Sequence, residues 1–197
     1  MNVLCIKGET NMAKALIAIG AATVNVLTKW LQTEEQPVQI VWIGSHQQDF
    51  LSLKVRDYIG DIVNETADHV VGTRGELLYI ASGQSTPDAA RLQKILEKYE
   101  DVYILSSLGG GTTSHVTPFI AEICTRKDPL MQAIVTLPAK LEPRTRHEKA
   151  QHAFHQLKQI CPVIHLVTNN GEHEESLVAT FARRDELLAT LLTRLIR

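Results

Sequence analysis

The sequence predicts an α/β fold: one three-layer, Rossmann-like domain, a parallel sheet with helices on both faces. Three observations predict it. Apolar, strand-like runs alternate with amphipathic, helix-like stretches along the chain, the order that builds parallel strands joined by right-handed crossovers. Runs such as "VQIVWIG", "DVYIL" and "MQAIVTL" are continuous rather than alternating, as in a sheet covered on both sides. The 197 residues, 44% of them apolar, suffice for one core and are short for two. A single domain over 1–197 is expected, without repeat, low-complexity tract or linker.

The elements follow in order. "VLCI" (3–6) reads as a short buried strand, and 11–31 has helical periodicity. Residues 38–44 form a second strand, 49–63 a helix, and "ELLYIAS" (76–82) a third strand. The helix over 87–100 carries Pro87 in its first turn, where a missing N–H costs nothing. A strand at 101–106, a helix through 117–126 and a strand at 131–137 come next. They are followed by a helix at 144–160, a strand at 162–168 and a last helix at 174–197.

Composition excludes several classes. A net charge of -2 offers no basic stripe, so nucleic acid is not an expected partner. No run approaches the roughly 18 apolar residues of a membrane span, and "MNVLCIKGET" turns polar too early for a signal peptide. Cys5, Cys124 and Cys161 are odd in number and widely spaced, which fits reduced thiols and a cytoplasmic location. Without a C-x-x-C pair a structural zinc site is not expected. His152 and His155 share a helix face, but a solvated face explains them, and Cys124 reads as a core thiol.

In such folds ligands sit at the carboxyl ends of the strands. After "DVYIL" comes "SSLGGGTTSH". Gly109, Gly110 and Gly111 can adopt positive φ and expose amides without a Cβ in the way. Running into a helix N-terminus, such a loop makes an anion cradle, and Thr112, Thr113 and Ser114 add hydroxyls. The competing reading is a plain strand-to-helix turn. No G-x-x-x-x-G-K-[ST] is present, and no G-x-G-x-x-G follows the first strand, so P-loop and ordinary dinucleotide readings fall away.

"LGGGTTSHVTPFIAEI" resembles the signature of the FtsZ/tubulin superfamily, whose glycine loop reads GGGTG[ST]G. Gly109, Gly110, Gly111, Thr112 and Ser114 match, as do Pro118, Ala121, Glu122 and Ile123, while Thr113 and His115 replace family glycines. "IVTLPAKLEPRTR" resembles the stretch whose Glu and Arg flank the ribose, here Glu142 and Arg146; a local i, i+4 ion pair is the alternative. "LVTNN" resembles the strand end whose Asn meets guanine, here Asn169, which could equally be a turn residue. "KGETNMA" keeps Gly8 and Asn11 of the first phosphate loop, with Glu9 opposing an anion and Lys7 offsetting it.

On the last helix, Leu177, Val178, Phe181, Leu187, Leu188, Leu191, Leu192, Leu195 and Ile196 share one half of the wheel. Arg184 and Asp185 project into that apolar half, where a charge needs a partner. The resemblance places Asp185, four residues after Phe181, against guanine. A carboxylate can accept from guanine's N1–H and exocyclic amine together, whereas adenine N1 is an acceptor. The alternative is pairing with Arg184.

The resemblance implies a guanine-nucleotide-binding relative with GTP or GDP as ligand and Mg²⁺ as a candidate companion. It also implies association with itself or a related FtsZ/tubulin-like chain. The family's hydrolytic loop and second domain follow the last helix, and this sequence ends at Arg197, so slow or absent hydrolysis and a one-domain relative are expected. No catalytic residue is assigned. A degenerate interaction module of the same fold is one alternative, supported by Thr113, His115 and Glu9; an unrelated α/β enzyme for another phosphorylated ligand is a second.

Overall fold

The computed structural model describes residues 14–32, 38–45, 59–60, 62–66, 68–81, 83–128, 130–168 and 176–196. Its strands are β1 (Lys14–Ile19), β2 (Val38–Gly44), β3 (Ile62–Glu65), β4 (His69–Gly72), β5 (Gly75–Tyr79), β6 (Asp101–Ser107), β7 (Gln132–Thr136) and β8 (Val163–Val167). Its helices are α1 (Ala22–Leu31), α2 (Ala89–Leu96), α3 (Gly111–Lys127), α4 (Arg144–Ile160) and α5 (Leu177–Leu195).

The strands form one sheet in the order β3-β4-β5-β2-β1-β6-β7-β8. From β5 to β8 every neighbouring pair is parallel. Because side chains alternate across a strand, β1 divides its residues between two cores. Ala15, Ile17 and Ile19 face the layer of α2, α3 and α4. Leu16 and Ala18 face α1 and α5, where Trp30, Trp42, Leu188 and Leu192 close the second core. The three-layer expectation is met.

Several element boundaries differ from expectation. The stretch read as one helix over 11–31 is strand β1, a turn at Gly20 and helix α1. Residues 15–19 have no exposed surface. A run buried on both faces has no polar stripe, so periodicity cannot separate strand from helix. Gly20 breaks the run with φ +82°, a left-handed conformation. The 49–63 helix is also corrected at its end: Ile62 and Val63 begin β3, while 49–58 lie outside the described residues. β3, β4 and β5 pair antiparallel, so the sheet is mixed at that edge. Pro87 precedes the N-cap, and Asp88 caps α2 by accepting from the amides of Ala90 and Arg91. On α5, Val178 and Leu187 are exposed despite lying in the apolar half of the wheel. The expected strand at 3–6 lies outside the described residues.

Candidate functional site

The central crossover of the sheet lies between β1 and β6: the chain leaves β1 toward β2 on one side and β6 toward β7 on the other. A crevice opens at such a switch point, outside the carboxyl ends of the strands. Here it is a cleft of about 410 Å³. Four adjacent strands deliver their following residues to it: Gly20 after β1, Ser45 after β2, Leu108 and the glycine run after β6, Leu137 and Pro138 after β7.

Two helix N-termini meet there. α1 starts after Ala21 and α3 after Gly110, neither with a side-chain cap. The first intrahelical bond of α3 runs from Ser114 N–H to Gly110 O at 3.2 Å. The amides of Gly111, Thr112 and Thr113 therefore precede the helical ladder, and all three residues line the cleft with Ala21 and Ala22. Amides and dipoles of both helices give this rim a partial positive charge.

The three glycines have different tasks. Gly109 has φ +101°, and a Cβ there would stand 2.6 Å from Pro138 Cγ and 3.1 Å from the Arg146 carbonyl oxygen. Its N–H donates to Ser114 Oγ at 2.7 Å, so neither that amide nor that hydroxyl acceptor is left for a ligand. Ser114 is buried and holds the loop rather than facing the cleft. Gly110 is the N-cap in extended conformation. Gly111 is exposed, and a Cβ there would meet nothing within 4 Å.

Thr112 Oγ1 donates to Ser45 Oγ at 3.3 Å across the cleft. Thr113 takes the place of a family glycine and packs its methyl under Gly20, where a Cβ would lie 2.5 Å from Thr113 Cγ2. Its Oγ1 is buried without a hydrogen-bond partner, a donor with an unmet need beside the amide rim. Beneath it, Thr117 donates to the Thr113 carbonyl at 2.6 Å and pairs with Ser106, tying α3 to β6.

On the β7 side, Glu142 Oε1 accepts from Ala139 N–H at 2.9 Å, and Oε2 accepts from Arg146 at 2.6 Å. The i, i+4 pair is thus formed, with Glu142 nearly enclosed and Arg146 half exposed. Both side chains line the cleft.

Asp185 does not line this cleft. It lines an adjoining hollow of about 430 Å³ that shares Asn25 and Phe181 with it. Arg184 Nε and Nη2 donate to Asp185 Oδ1 at 3.3 and 3.1 Å, so the pairing alternative is realised. Burial pushes the Asp185 carboxyl above the ordinary carboxylate range, against the opposing pull of Arg184 and Lys29. Lys29 Nζ itself donates to the Ala182 carbonyl and to Glu186, joining α1 to α5.

The structure thus gathers Gly110, Gly111, Thr112, Thr113, Glu142 and Arg146 around one cleft, seats Gly109 and Ser114 behind it, and sets Asp185 in the next hollow. Gly8, Asn11 and Asn169 lie outside the described residues. Gly20, Ala21, Ala22 and Asn25 are additions. A glycine between the apolar run "ALIAI" and an amphipathic stretch was the available signal for them. Cys124 is fully buried and burial raises its thiol pKa, as for a core cysteine. No helix among the described residues is long and apolar enough to cross a membrane.

The open α/β sheet with its glycine-opened helix is the architecture of the FtsZ/tubulin nucleotide-binding domain. An FtsZ dimer structure from M. jannaschii superposes with TM-score 0.72 at 20% identity, over 94% of this chain and 54% of that one. CetZ2 from Haloferax volcanii, solved as a GTPγS-bound protofilament, superposes with TM-score 0.65 at 17% identity, over 94% and 58%.

The family described as "Tubulin/FtsZ family, GTPase domain" matches residues 80–174 of the chain. Cell division protein FtsZ 1 of Thermococcus kodakarensis is 26% identical over 155 residues, 79% of this chain and 41% of that protein. Cell division protein FtsZ of Pseudomonas aeruginosa is 25% identical over 180 residues, 88% and 45%. The chain spans less than half the length of these curated relatives.

Proposed function

We propose that this chain binds a guanine nucleotide across the carboxyl ends of β1 and β6. The phosphates lie against the amides of Ala21, Ala22 and Gly111–Thr113, the ribose toward Glu142 and Arg146, and the base toward Phe181 and Asp185. One observation carries the reading: two uncapped helix N-termini open into a single cleft, with the unpartnered hydroxyl of Thr113 beside them. The cleft volume suits a small-molecule ligand. Guanine rather than adenine follows from the chemistry of Asp185, a pure acceptor when ionised.

A nucleotide fits this donor set; a protein-held Mg²⁺ does not. Glu142 is the one carboxylate among the described cleft residues, and both its oxygens are engaged. An ion accompanying the phosphates would take its oxygens from them and from water. The same occupied carboxylate leaves no free base among those residues to activate water, so we propose slow hydrolysis or none. Relatives solved as a dimer and a protofilament support self-association, or association with a related chain, as part of the proposal.

Titration with labelled GTP, GDP and ATP tests the reading. Micromolar or weaker binding of GTP and GDP is expected, with ATP weaker still. The Asp185→Ala variant should lose about tenfold or more for GTP and little for ATP, since a hydrogen bond to a charged group contributes about 1.5–3 kcal/mol. Absence of guanine-nucleotide binding at high micromolar concentration would overturn the proposal in favour of an interaction module.

A further inference from the structure

Arg184 has no part in the reading above, yet it is among the most constrained cations of the chain. Its side chain is only 10% exposed. Nε and Nη2 point together at Asp185 Oδ1, and the guanidinium carbon lies 4.9 Å from the centroid of the Phe181 ring. Arg184 lines the main cleft while Asp185 lines the adjoining hollow, so their ion pair joins the two walls.

A flat group offering two N–H donors along one edge to a carboxylate, over an aromatic ring, is also a description of guanine. N1–H and the exocyclic amine form the donor edge, and the purine supplies the face. We propose that Arg184 is a built-in stand-in for the base: its guanidinium occupies the Phe181–Asp185 slot, and guanine binds by displacing it. The inference rests on the guanine-nucleotide reading.

The physical case has three parts. A carboxylate as enclosed as Asp185 requires a cation or donors while the site is empty. The other cation acting on it, Lys29, is held by Ala182 and Glu186, so Arg184 supplies the direct contact. When the base takes over Asp185, Arg184 is released into a cleft it already lines, where the phosphates' negative charge receives it. The exchange is selective. Adenine presents an acceptor at N1 and has no claim on Asp185, so an adenine nucleotide leaves the ion pair intact.

Calorimetric titration of the full chain and of Arg184→Ala and Arg184→Lys with GDP and ADP tests this, with circular dichroism confirming that each variant is folded. Removing the guanidinium should tighten GDP binding about tenfold or more and leave ADP within a factor of about two. Lysine, which keeps the charge without the paired donors, should show a smaller gain in the same direction, and it decides the matter if the alanine variant does not fold. GDP affinity equal to or weaker than that of the parent chain would overturn the stand-in while leaving the guanine-nucleotide reading in place. An equal gain for ADP would also overturn it, because Arg184 would then be a steric obstacle without mimicry. If neither the parent chain nor the variants bind GDP, both fall, since the vacated slot admits nothing.

Discussion

The described helices begin in two ways. α2 and α5 open on a side-chain oxygen: Asp88 accepts from the amides of Ala90 and Arg91, and Ser176 accepts from Ala179 N–H. α1 and α3 open on Ala21 and Gly110, which have no side-chain oxygen to give. α4 is also uncapped, after Pro143, and its first turn carries Arg146 to the cleft rim. The capped helices start away from the main cleft, while α1 and α3 start on it. At α2 and α5 a side-chain oxygen meets the first amides; at the central crossover no side chain does.

That contrast can be broken deliberately. The largest effect is expected from Gly111→Asp, which sets a carboxylate on the open start of α3 in free space. It should keep or slightly raise the melting temperature, since an acid in a first helical turn is favourable by a few tenths of a kcal/mol. It should also weaken GTP binding on the order of a hundredfold, as anion meets anion at a desolvated rim. Equal affinity in the variant would mean the phosphates lie elsewhere.

A smaller effect concerns a region remote from this rim. Glu76 is buried; burial alone would raise its pKa, but hydrogen bonds from His69 at 2.7 Å and Lys98 at 2.5 Å outweigh it and the net direction is down. A depressed carboxylate contributes stability above its ordinary value of 4.5 and loses it as pH falls through the folded value. Each tenfold change in proton affinity is worth about 1.4 kcal/mol. Urea midpoints should therefore fall below about pH 4.5, and Glu76→Gln should flatten that decline; an unchanged acid slope in the variant would remove Glu76 as its cause.

The smallest expected effect is that of Asp88→Ala. Loss of a side-chain cap costs about 1 kcal/mol, and nucleotide affinity should not move. A change in affinity there would blur the division between the two kinds of helix start.

The same division decided what could be read from the sequence. α4 was legible to both ends, because "RTRHEKAQHAFHQLKQI" keeps a narrow apolar face through Ala150, Ala153 and Leu157 in a polar surround. The glycine run was legible because three glycines before a helix have few other uses. β1 was not: "ALIAI" is buried on both sides, and its alanines suit a helix as well as a strand. Gly20 and Ala21, which line the cleft after β1, were not singled out, because the run before them was read as part of a helix. The β4–β5 hairpin was missed although "VVGTRGELLYI" places a glycine-flanked turn between apolar runs. Arg184 and Asp185 were legible as intruders in an apolar face, but not which hollow each would enter, because a helical wheel gives direction without depth.

Gly109 is a junction where separate parts of the molecule come close together. A Cβ at 109 would press on the Pro138 ring and the Arg146 carbonyl while Ser114 holds the Gly109 nitrogen, so a side chain there would have to push the loop after β6 off the start of α4. A methyl group at this one position would therefore be felt in three separate segments of the chain.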